Sequence, residues 1–257
     1  MRLLAAALAA ALWTQVAFAA QPLSIAAAAN LTQVIGRLNA DFRAARPDVD
    51  LTVALGSSGG LVAQMKNGAP YDVFLSADMG FAEALAKAGH ADAATLAPFA
   101  VGRLVLWTVK PGVDLTGVGA AVRSPSVQKL AVANTGTAPY GRAARQALEA
   151  LGLWEAAQPK LVTAEDISQT AQFVETGNAD AGFVALSAVL SPKLAGKGRW
   201  IEVPAALYKP LVQGAIITAH GAPNPAAAAY LAFLRGDAAH RDLEAAGYGI
   251  PAAPGAK

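Results

Sequence analysis

The sequence contains no cysteine and only three histidines in 257 residues. Without cysteine the chain has no disulfide, no thiol nucleophile and no Cys-ligated metal site. A lipid-anchored export product also needs a cysteine at its cleavage point, so we expect a freely soluble protein. The histidines are His90, His220 and His240, and their spacing offers no metal site. We therefore expect no cofactor and no metal ion held by histidine or cysteine.

Charged residues are also scarce, at 15% of the chain with a formal net charge of +2. The chain has no basic run and no aromatic-studded basic strand, so nothing in its charge argues for a nucleic-acid partner. The carboxylates lack the paired arrangement typical of glycoside hydrolases, and neither a P-loop nor a dinucleotide-binding fingerprint is present. Hydrophobic residues make up 54% of the chain, which is typical of a folded protein with one large domain or two lobes.

Residues 1–19 have the pattern of a signal peptide. Arg2 supplies a positive start, residues 3–12 form an apolar core, and Ala17-Phe18-Ala19 is a small-x-small cleavage sequence. A transmembrane helix is the alternative, but the apolar run is short for a span and is interrupted by polar residues. We expect cleavage after Ala19 and a mature protein in the periplasm of a Gram-negative cell.

Predicted strands and helices alternate along most of the chain, which favours an α/β fold with parallel sheets and right-handed crossovers. The first strand, 23–28, precedes an amphipathic helix at 31–45. Further strands are predicted at 49–55, 73–76, 104–109, 129–133, 160–162, 182–185, 200–203 and 211–218. Because the pattern repeats, we predict two lobes, each a mostly parallel sheet flanked by helices, with a ligand cleft between them.

Two chain crossings are predicted between the lobes, at 97–102 and at 205–213. The first lobe is then discontinuous and comprises residues 20–100 with 212–257, while the second comprises residues 101–211. No low-complexity linker separates them, so we expect the lobes to share a tight hinge.

Four predicted strands end in small or hydroxyl residues directly before a helix. These turns are Ala29-Asn30, Ser57-Ser58-Gly59, Ala138-Pro139-Tyr140-Gly141 and Asp166-Ile167-Ser168. Helix N-termini carry unpaired backbone N–H groups and the positive end of the helix dipole, so each turn is a small anion site. None of the turns contains Lys or Arg. If the fold brings them together, neutral donors alone would hold a compact oxyanion, which indicates binding rather than catalysis.

The same residues also have structural interpretations. Asp166 is expected to cap its helix, because Asp is a good N-cap residue. The Asn30 amide could cap a helix, donate to a ligand, or do both. Proline near a first turn is a common helix start, so the turn at Tyr140 could be an ordinary capped turn. The alternative to a ligand site is therefore a set of capped turns that hold nothing.

One turn also matches a catalytic pattern. The stretch Gly56-Ser57-Ser58-Gly59-Gly60 fits G-x-S-x-G between a strand and a helix, as in the nucleophile elbow of a secreted serine hydrolase. Such an enzyme also needs an acid and a histidine at later strand ends. His220 is the one plausible histidine, and no clear acid partner accompanies it. The hydrolase remains an outside alternative, and we expect the protein not to be an enzyme.

At these residues the chain resembles the periplasmic molybdate-binding proteins of ABC importers. The resemblance covers almost the whole chain after residue 19, and its segments are specific in their order and spacing rather than singly. They are Asn30-Leu31, Gly56-Ser57-Ser58-Gly59, 68–78, 102–107, Ala138-Pro139-Tyr140-Gly141, Ala164-Glu165-Asp166 and 182–186. The resemblance implies a two-lobed type II periplasmic binding protein fold that closes over molybdate or tungstate. It also implies a receptor that delivers the anion to a membrane permease.

A ligand set follows from the same resemblance. Asn30 and Ser58, with Ser57 beside them, would come from the first lobe, and Tyr140 and Ile167 would contribute backbone N–H groups from the second. Metal would enter only as part of the oxyanion, held by these residues. A monomer is the default expectation for such receptors.

Two positions depart from the best-known branch of that family. Many members have Ser where this chain has Asn30, and Tyr where it has Ala185; a second branch, with Asn at the first position, looks closer. A site made only of donors suits a fully ionised anion such as molybdate, tungstate or sulfate, whereas phosphate keeps a proton near neutral pH and needs an acceptor. A receptor for sulfate or another tetrahedral oxyanion is therefore the alternative function.

Overall fold

The computed structural model describes residues 20–252, and the predicted signal peptide at 1–19 lies outside the described residues. The described part of the chain has ten strands. They are β1 (Gln21–Ala28), β2 (Val49–Gly56), β3 (Val73–Ser76), β4 (Ala97–Gly102), β5 (Leu104–Thr108), β6 (Leu130–Ala133), β7 (Leu161–Ala164), β8 (Ala181–Ala185), β9 (Arg199–Glu202) and β10 (Leu211–Ile217). Each predicted strand is present within a few residues of its expected bounds.

Helices alternate with these strands. They are α1 (Ile35–Ala45), α2 (Ser58–Lys66), α3 (Met79–Lys87), α4 (Val118–Arg123), α5 (Pro139–Ala150), α6 (Trp154–Ala157), α7 (Ile167–Glu175), α8 (Leu186–Val189), α9 (Pro225–Leu234) and α10 (Asp237–Ala245). Over residues 20–252, no helix combines the length and apolar character that a membrane crossing requires.

The strands form two five-stranded sheets. The first has the order β2-β1-β3-β10-β4 and the second the order β7-β6-β8-β5-β9. β10 is antiparallel to both of its neighbours, and so is β5. The other pairings are parallel. Each sheet is therefore mixed, with four strands in one direction and one reversed strand.

The reversed strand in each sheet is the one that arrives from the other sheet. The chain leaves the first sheet at Gly102 and enters the second at Leu104, with Arg103 alone between them. It returns between Glu202 and Leu211. Each entering strand begins next to the last residue of a neighbouring strand. Leu211, the first residue of β10, pairs with Gly102, and Leu104, the first residue of β5, pairs with the last residue of β8. Each entering strand is therefore antiparallel to its neighbours, which the local alternation of strands and helices in the sequence does not reveal.

The first predicted crossing was placed wrongly. Residues 97–102 form β4, an edge strand of the first sheet, and the crossing is confined to Arg103. The apolar stretch pairs with β10 along its length, so its backbone groups are satisfied within a sheet rather than in a connecting loop.

Helices cover both faces of each sheet, so each sheet and its helices form a three-layered lobe. In the first lobe, α1, α9 and α10 pack on one face around Phe42 and Tyr230, whose rings meet edge to face at 5.0 Å between centroids. α2 and α3 cover the other face. In the second lobe α4 and α5 cover one face, α7 and α8 the other. Each lobe thus has its own core.

The predicted first helix is divided in the structure. A 3-10 turn, Ala29–Gln33, precedes α1. In a continuous α-helix the Asn30 carbonyl would accept the Val34 N–H. Here it accepts instead from two hydroxyl groups far along the chain, those of Tyr248 at 2.7 Å and Ser187 at 3.2 Å. These long-range hydrogen bonds replace the regular helical one and hold Asn30 at the end of β1.

Candidate functional site

The four predicted anion-binding turns converge on one small cavity between the lobes, with a volume of about 10 Å³, roughly the space of one water molecule. Its lining comes from the ends of β1 and β2 and from the segments that follow β3, β6 and β7. The lining residues are Ala28, Ala29, Asn30, Gly56, Ser57, Ser58, Ala77, Ala138, Pro139, Tyr140, Asp166 and Ile167. All five residues of the predicted ligand set are among them, so the fold gathers at one place residues that are far apart in the sequence.

The first lobe contributes two serines at the start of α2. Ser57 is the N-cap, and its Oγ accepts the Gly60 N–H at 3.3 Å. Ser58 is buried, and its Oγ accepts the Ala77 N–H at 3.0 Å. A hydroxyl that accepts from a backbone N–H still has its own proton to donate. Ser58 can therefore donate a hydrogen bond into the cavity.

The second lobe contributes backbone N–H groups from two helix starts. At α7, Asp166 Oδ1 accepts from the backbone N–H groups of Ser168 and Gln169 at 2.8 and 2.9 Å, which confirms the predicted cap. Ile167 is the first helical residue, so its N–H has no acceptor within the helix. At α5, Pro139 has no N–H, and the next first-turn donor belongs to Tyr140.

The electrostatics of the cavity favour an anion without supplying a full positive charge. No Lys, Arg or His is among the lining residues, and Asp166 is the one ionisable carboxylate there. Its Oδ1 atom is engaged by the two backbone donors of α7. α2, α5 and α7 each begin at the cavity, so the positive ends of three helix dipoles meet there.

The two lobes touch around this site. The Gly59 N–H in α2 donates to the Thr137 carbonyl of the second lobe at 2.9 Å. Arg142 of α5 forms an ion pair with Asp78 of the first lobe and lies over the Phe81 ring, 4.8 Å from its centroid. Residues of both lobes therefore line the cavity and contact each other beside it.

The hydrolase alternative fails on geometry. His220 Nε2 lies 3.9 Å from Asp72 Oδ1, directly before β3. Ser58 instead bonds to Ala77, directly after β3. The four residues of β3 span about 13 Å, so this histidine and acid lie at the opposite end of the strand from the serine. No hydrogen bond from His220 can activate Ser58.

Sequence reasoning missed a buried polar cluster behind the cavity, formed by Asn30, Ser187, Gln213 and Tyr248. Asn30 Nδ2 donates to Gln213 Oε1 and to the Tyr248 hydroxyl, at 3.1 Å in each case. Burial raises the pKa of Tyr248 to about 12, so its hydroxyl keeps its proton at neutral pH. One signal for the cluster was available, because Gln213 is a polar residue inside the otherwise apolar strand β10.

Ala185, where the resemblance pointed to a missing tyrosine hydroxyl, ends β8 and lines a second cavity. That cavity also contacts Asn30 and Ile167, so it adjoins the first. The Ala185 methyl group cannot donate a hydrogen bond. Donors on the Ala185 side of the first cavity must therefore come from the predicted anion-binding turns, such as those at Asn30 and Ile167. In residues 20–252, no group of three or more His, Asp or Glu side chains is arranged to hold a metal ion.

Comparison with known proteins agrees with this geometry. Residues 23–249 match a family model described as bacterial extracellular solute-binding protein. The molybdate-binding protein ModA of Azotobacter vinelandii is 43% identical over 232 residues, which are 90% of this chain and 91% of that protein. ModA of Rhodobacter capsulatus is 40% identical over 224 residues, with 87% and 86% covered.

A solved structure shows the same likeness in three dimensions. The Azotobacter vinelandii periplasmic molybdate-binding protein aligns with a TM-score of 0.83 and 34% identity, over 89% of this chain and 99% of that one. The two-lobed α/β fold of a type II periplasmic binding protein is thereby confirmed. Solute-binding proteins are transport receptors rather than enzymes, in agreement with the separation of His220 from Ser58. The chain belongs to the family of bacterial extracellular solute-binding proteins.

Proposed function

We propose that the protein is a periplasmic receptor that binds molybdate or tungstate and delivers it to the membrane permease of an ABC importer. The observation that carries the proposal is the convergence of helix N-termini and serine hydroxyls on one small cavity whose lining has no cationic side chain. Neutral donors of this kind suit a compact oxyanion. Relatives with 43% and 40% identity are named molybdate-binding proteins, which supports molybdate within this class.

In the proposed site both lobes supply donors. Ser58 and Ser57 present hydroxyl groups from α2, and Asn30 presents its side-chain amide from the end of β1. Tyr140 and Ile167 present first-turn backbone N–H groups from α5 and α7. Molybdenum or tungsten enters only as the oxyanion, and the protein needs no cofactor.

The remaining features of the proposal concern the whole chain. One lobe comprises residues 20–102 with 211–252, and the other comprises residues 104–202. The chain is exported by cleavage after Ala19, acts as a monomer and has no nucleic-acid partner. The two connections between the sheets form the hinge about which the lobes open.

A receptor for sulfate or another tetrahedral oxyanion is the second candidate. The neutral donor set favours it equally, since such donors respond to charge and tetrahedral shape. Ala185 also has no hydroxyl group, so this position cannot form a side-chain hydrogen bond that would help to select among oxyanions.

Calorimetric titration of the mature protein with sodium molybdate, tungstate, sulfate and phosphate tests both candidates. We expect tight binding of molybdate and tungstate, weaker binding of sulfate and no binding of phosphate, which keeps a proton and needs an acceptor. Tight binding of sulfate without molybdate would select the second candidate. Binding of phosphate alone, or of none of the four anions, would contradict both.

A further inference from the structure

Two buried amide atoms have no hydrogen-bond partner among the described residues, namely Asn30 Oδ1 and Gln213 Nε2. Asn30 is 3% exposed and Gln213 is 0% exposed. Buried polar atoms are almost always paired, because leaving one unpaired forfeits its hydration. These two side chains already contact each other through Asn30 Nδ2 and Gln213 Oε1, at 3.1 Å. The unpaired atoms are thus the remaining ends of one bonded amide pair.

A third polar group adjoins the pair. The Tyr140 hydroxyl and Gln213 both flank Gly102, where an added Cβ would stand 2.1 Å from the hydroxyl oxygen and 3.0 Å from Gln213 Nε2. Burial raises the pKa of Tyr140 well above its ordinary value, nearby Tyr248 and Tyr208 raise it further, and the Gln213 side chain partly offsets this. The phenol therefore carries a proton, and the Gln213 atom beside it is Nε2, which cannot accept that proton.

A half-turn of both amides pairs all three groups. The nitrogen and oxygen of a carboxamide exchange places without a change of shape. The Tyr140 O–H then donates to Gln213 Oε1, and Gln213 Nε2 donates to Asn30 Oδ1. Asn30 Nδ2 takes the position that Oδ1 has in the structure. Tyr248 then donates to Asn30 Oδ1 instead of to the Asn30 backbone carbonyl, from which it must move away, and Ser187 remains as the hydroxyl donor to that carbonyl.

We propose that Gln213 is a positioning residue, which turns the Asn30 amide so that an N–H rather than a C=O faces the bound oxyanion, and that the Tyr140 hydroxyl holds Gln213 in this orientation. Asn30 lines the cavity. An amide oxygen facing a dianion would repel it, whereas an N–H forms a charge-assisted hydrogen bond. The inference rests on the proposed function, and it connects a side chain of the second lobe to a ligand donor of the first.

A double-mutant cycle with sodium molybdate tests the proposal. Gln213→Met keeps the length of the side chain and removes the amide, and we expect it to weaken binding by about tenfold or more. Asn30→Ala removes the donor that Gln213 orients. In the double variant, Gln213→Met should cause little further loss, because it acts through Asn30. Full additivity of the two losses would overturn the proposal.

A matched control separates positioning from stability. Asn39→Leu removes another buried amide that bonds to a tyrosine, since Asn39 Oδ1 accepts from the Tyr230 hydroxyl at 2.7 Å in the core of the first lobe. It should lower the melting temperature and leave the affinity for molybdate unchanged. If the wild type binds molybdate and Gln213→Met binds it with the same affinity, the role of Gln213 is refuted while the proposed function still holds. Absence of oxyanion binding by the wild type would refute the proposed function itself.

Tyr140→Phe supplies a second variant in case Gln213→Met folds poorly. It removes only the phenol oxygen, so we expect a smaller loss of affinity than for Gln213→Met, and no further loss when the two are combined. In NMR spectra of Asn-labelled protein, the side-chain amide signal of Asn30 should shift on addition of molybdate in the wild type. The same shift in Gln213→Met would contradict the proposal.

Discussion

Ser58 shows how a single residue is prepared to donate. The Ala77 N–H occupies the acceptor side of its hydroxyl at 3.0 Å, which leaves the O–H for the cavity. We expect Ser58→Ala to weaken molybdate binding by about 1.5–3 kcal/mol, or roughly 10- to 150-fold, as measured by calorimetry. Ser124→Ala is the control, because Ser124 is a buried serine after α4, outside the cavity lining. Equal losses in the two variants would contradict a ligand role for Ser58.

Gly59 shows how a residue without a side chain permits the lobes to meet. A Cβ there would stand 2.9 Å from Thr137 Cα and 3.0 Å from the Phe81 ring. We expect Gly59→Ala to weaken molybdate binding more than it lowers the stability of the ligand-free protein. The contact with Thr137 forms only between the lobes, whereas the Phe81 ring, in the same lobe as Gly59, needs to shift only slightly. Calorimetry and urea unfolding measure the two effects separately.

Gly36→Ala is the matched control for that substitution. Gly36 also lies within a first-lobe helix, α1, and among residues 20–252 no atom beyond its own stretch of that helix lies within 4 Å of its added Cβ. The substitution should stabilise the protein by about 0.5–1 kcal/mol with no change in affinity. A loss of affinity in Gly36→Ala, or none in Gly59→Ala, would argue against steric control of closure.

At the scale of elements, the N-terminus of α7 depends on its cap. Asp166 Oδ1 accepts two backbone N–H groups there, so we expect Asp166→Ala to lower the free energy of unfolding by about 0.5–2 kcal/mol. Asp166→Asn retains an acceptor oxygen and should be nearly neutral. Molybdate affinity should fall in the alanine variant, because the Ile167 N–H is then held less firmly. Urea unfolding with calorimetry on both variants measures this, and equal stability of the two would contradict it.

The whole molecule closes through contacts between the lobes. Arg142 pairs with Asp78, and the Gly59 N–H donates to the Thr137 carbonyl, so the two lobes meet beside the cavity. Hinge closure around ligand is the usual behaviour of periplasmic binding proteins. We expect saturating molybdate to reduce the radius of gyration in small-angle X-ray scattering. The Ser58→Ala variant, at a molybdate concentration too low to saturate it, should keep the larger radius of gyration. An unchanged radius of gyration in a wild-type protein that binds molybdate would contradict closure on binding and indicate a site that is already closed.

Local chemistry made much of this protein predictable from its sequence. Alternating strands and helices indicated the two-lobed α/β fold, because periodicity is a property of neighbouring residues. Asp166 was identified as a cap, because capping joins a side chain to backbone groups two and three residues away. The turn residues Asn30, Ser58 and Tyr140 were selected for the same reason, since free donors at helix starts follow from helix geometry alone.

Only the tertiary structure decided what lies together. β10 and β5 run against their sheets because each enters from the other lobe, and local pattern carries no information on the direction of entry. Asn30 lies in a 3-10 turn because its backbone carbonyl accepts hydrogen bonds from the hydroxyl groups of Tyr248 and Ser187, which are far away in the sequence. Gln213 contacts Asn30 only because the fold brings together two residues that are 183 positions apart in the sequence. Long-range hydrogen bonds depend on how the lobes assemble, so the sequence selects the donors while the assembled fold determines which of them share a cavity.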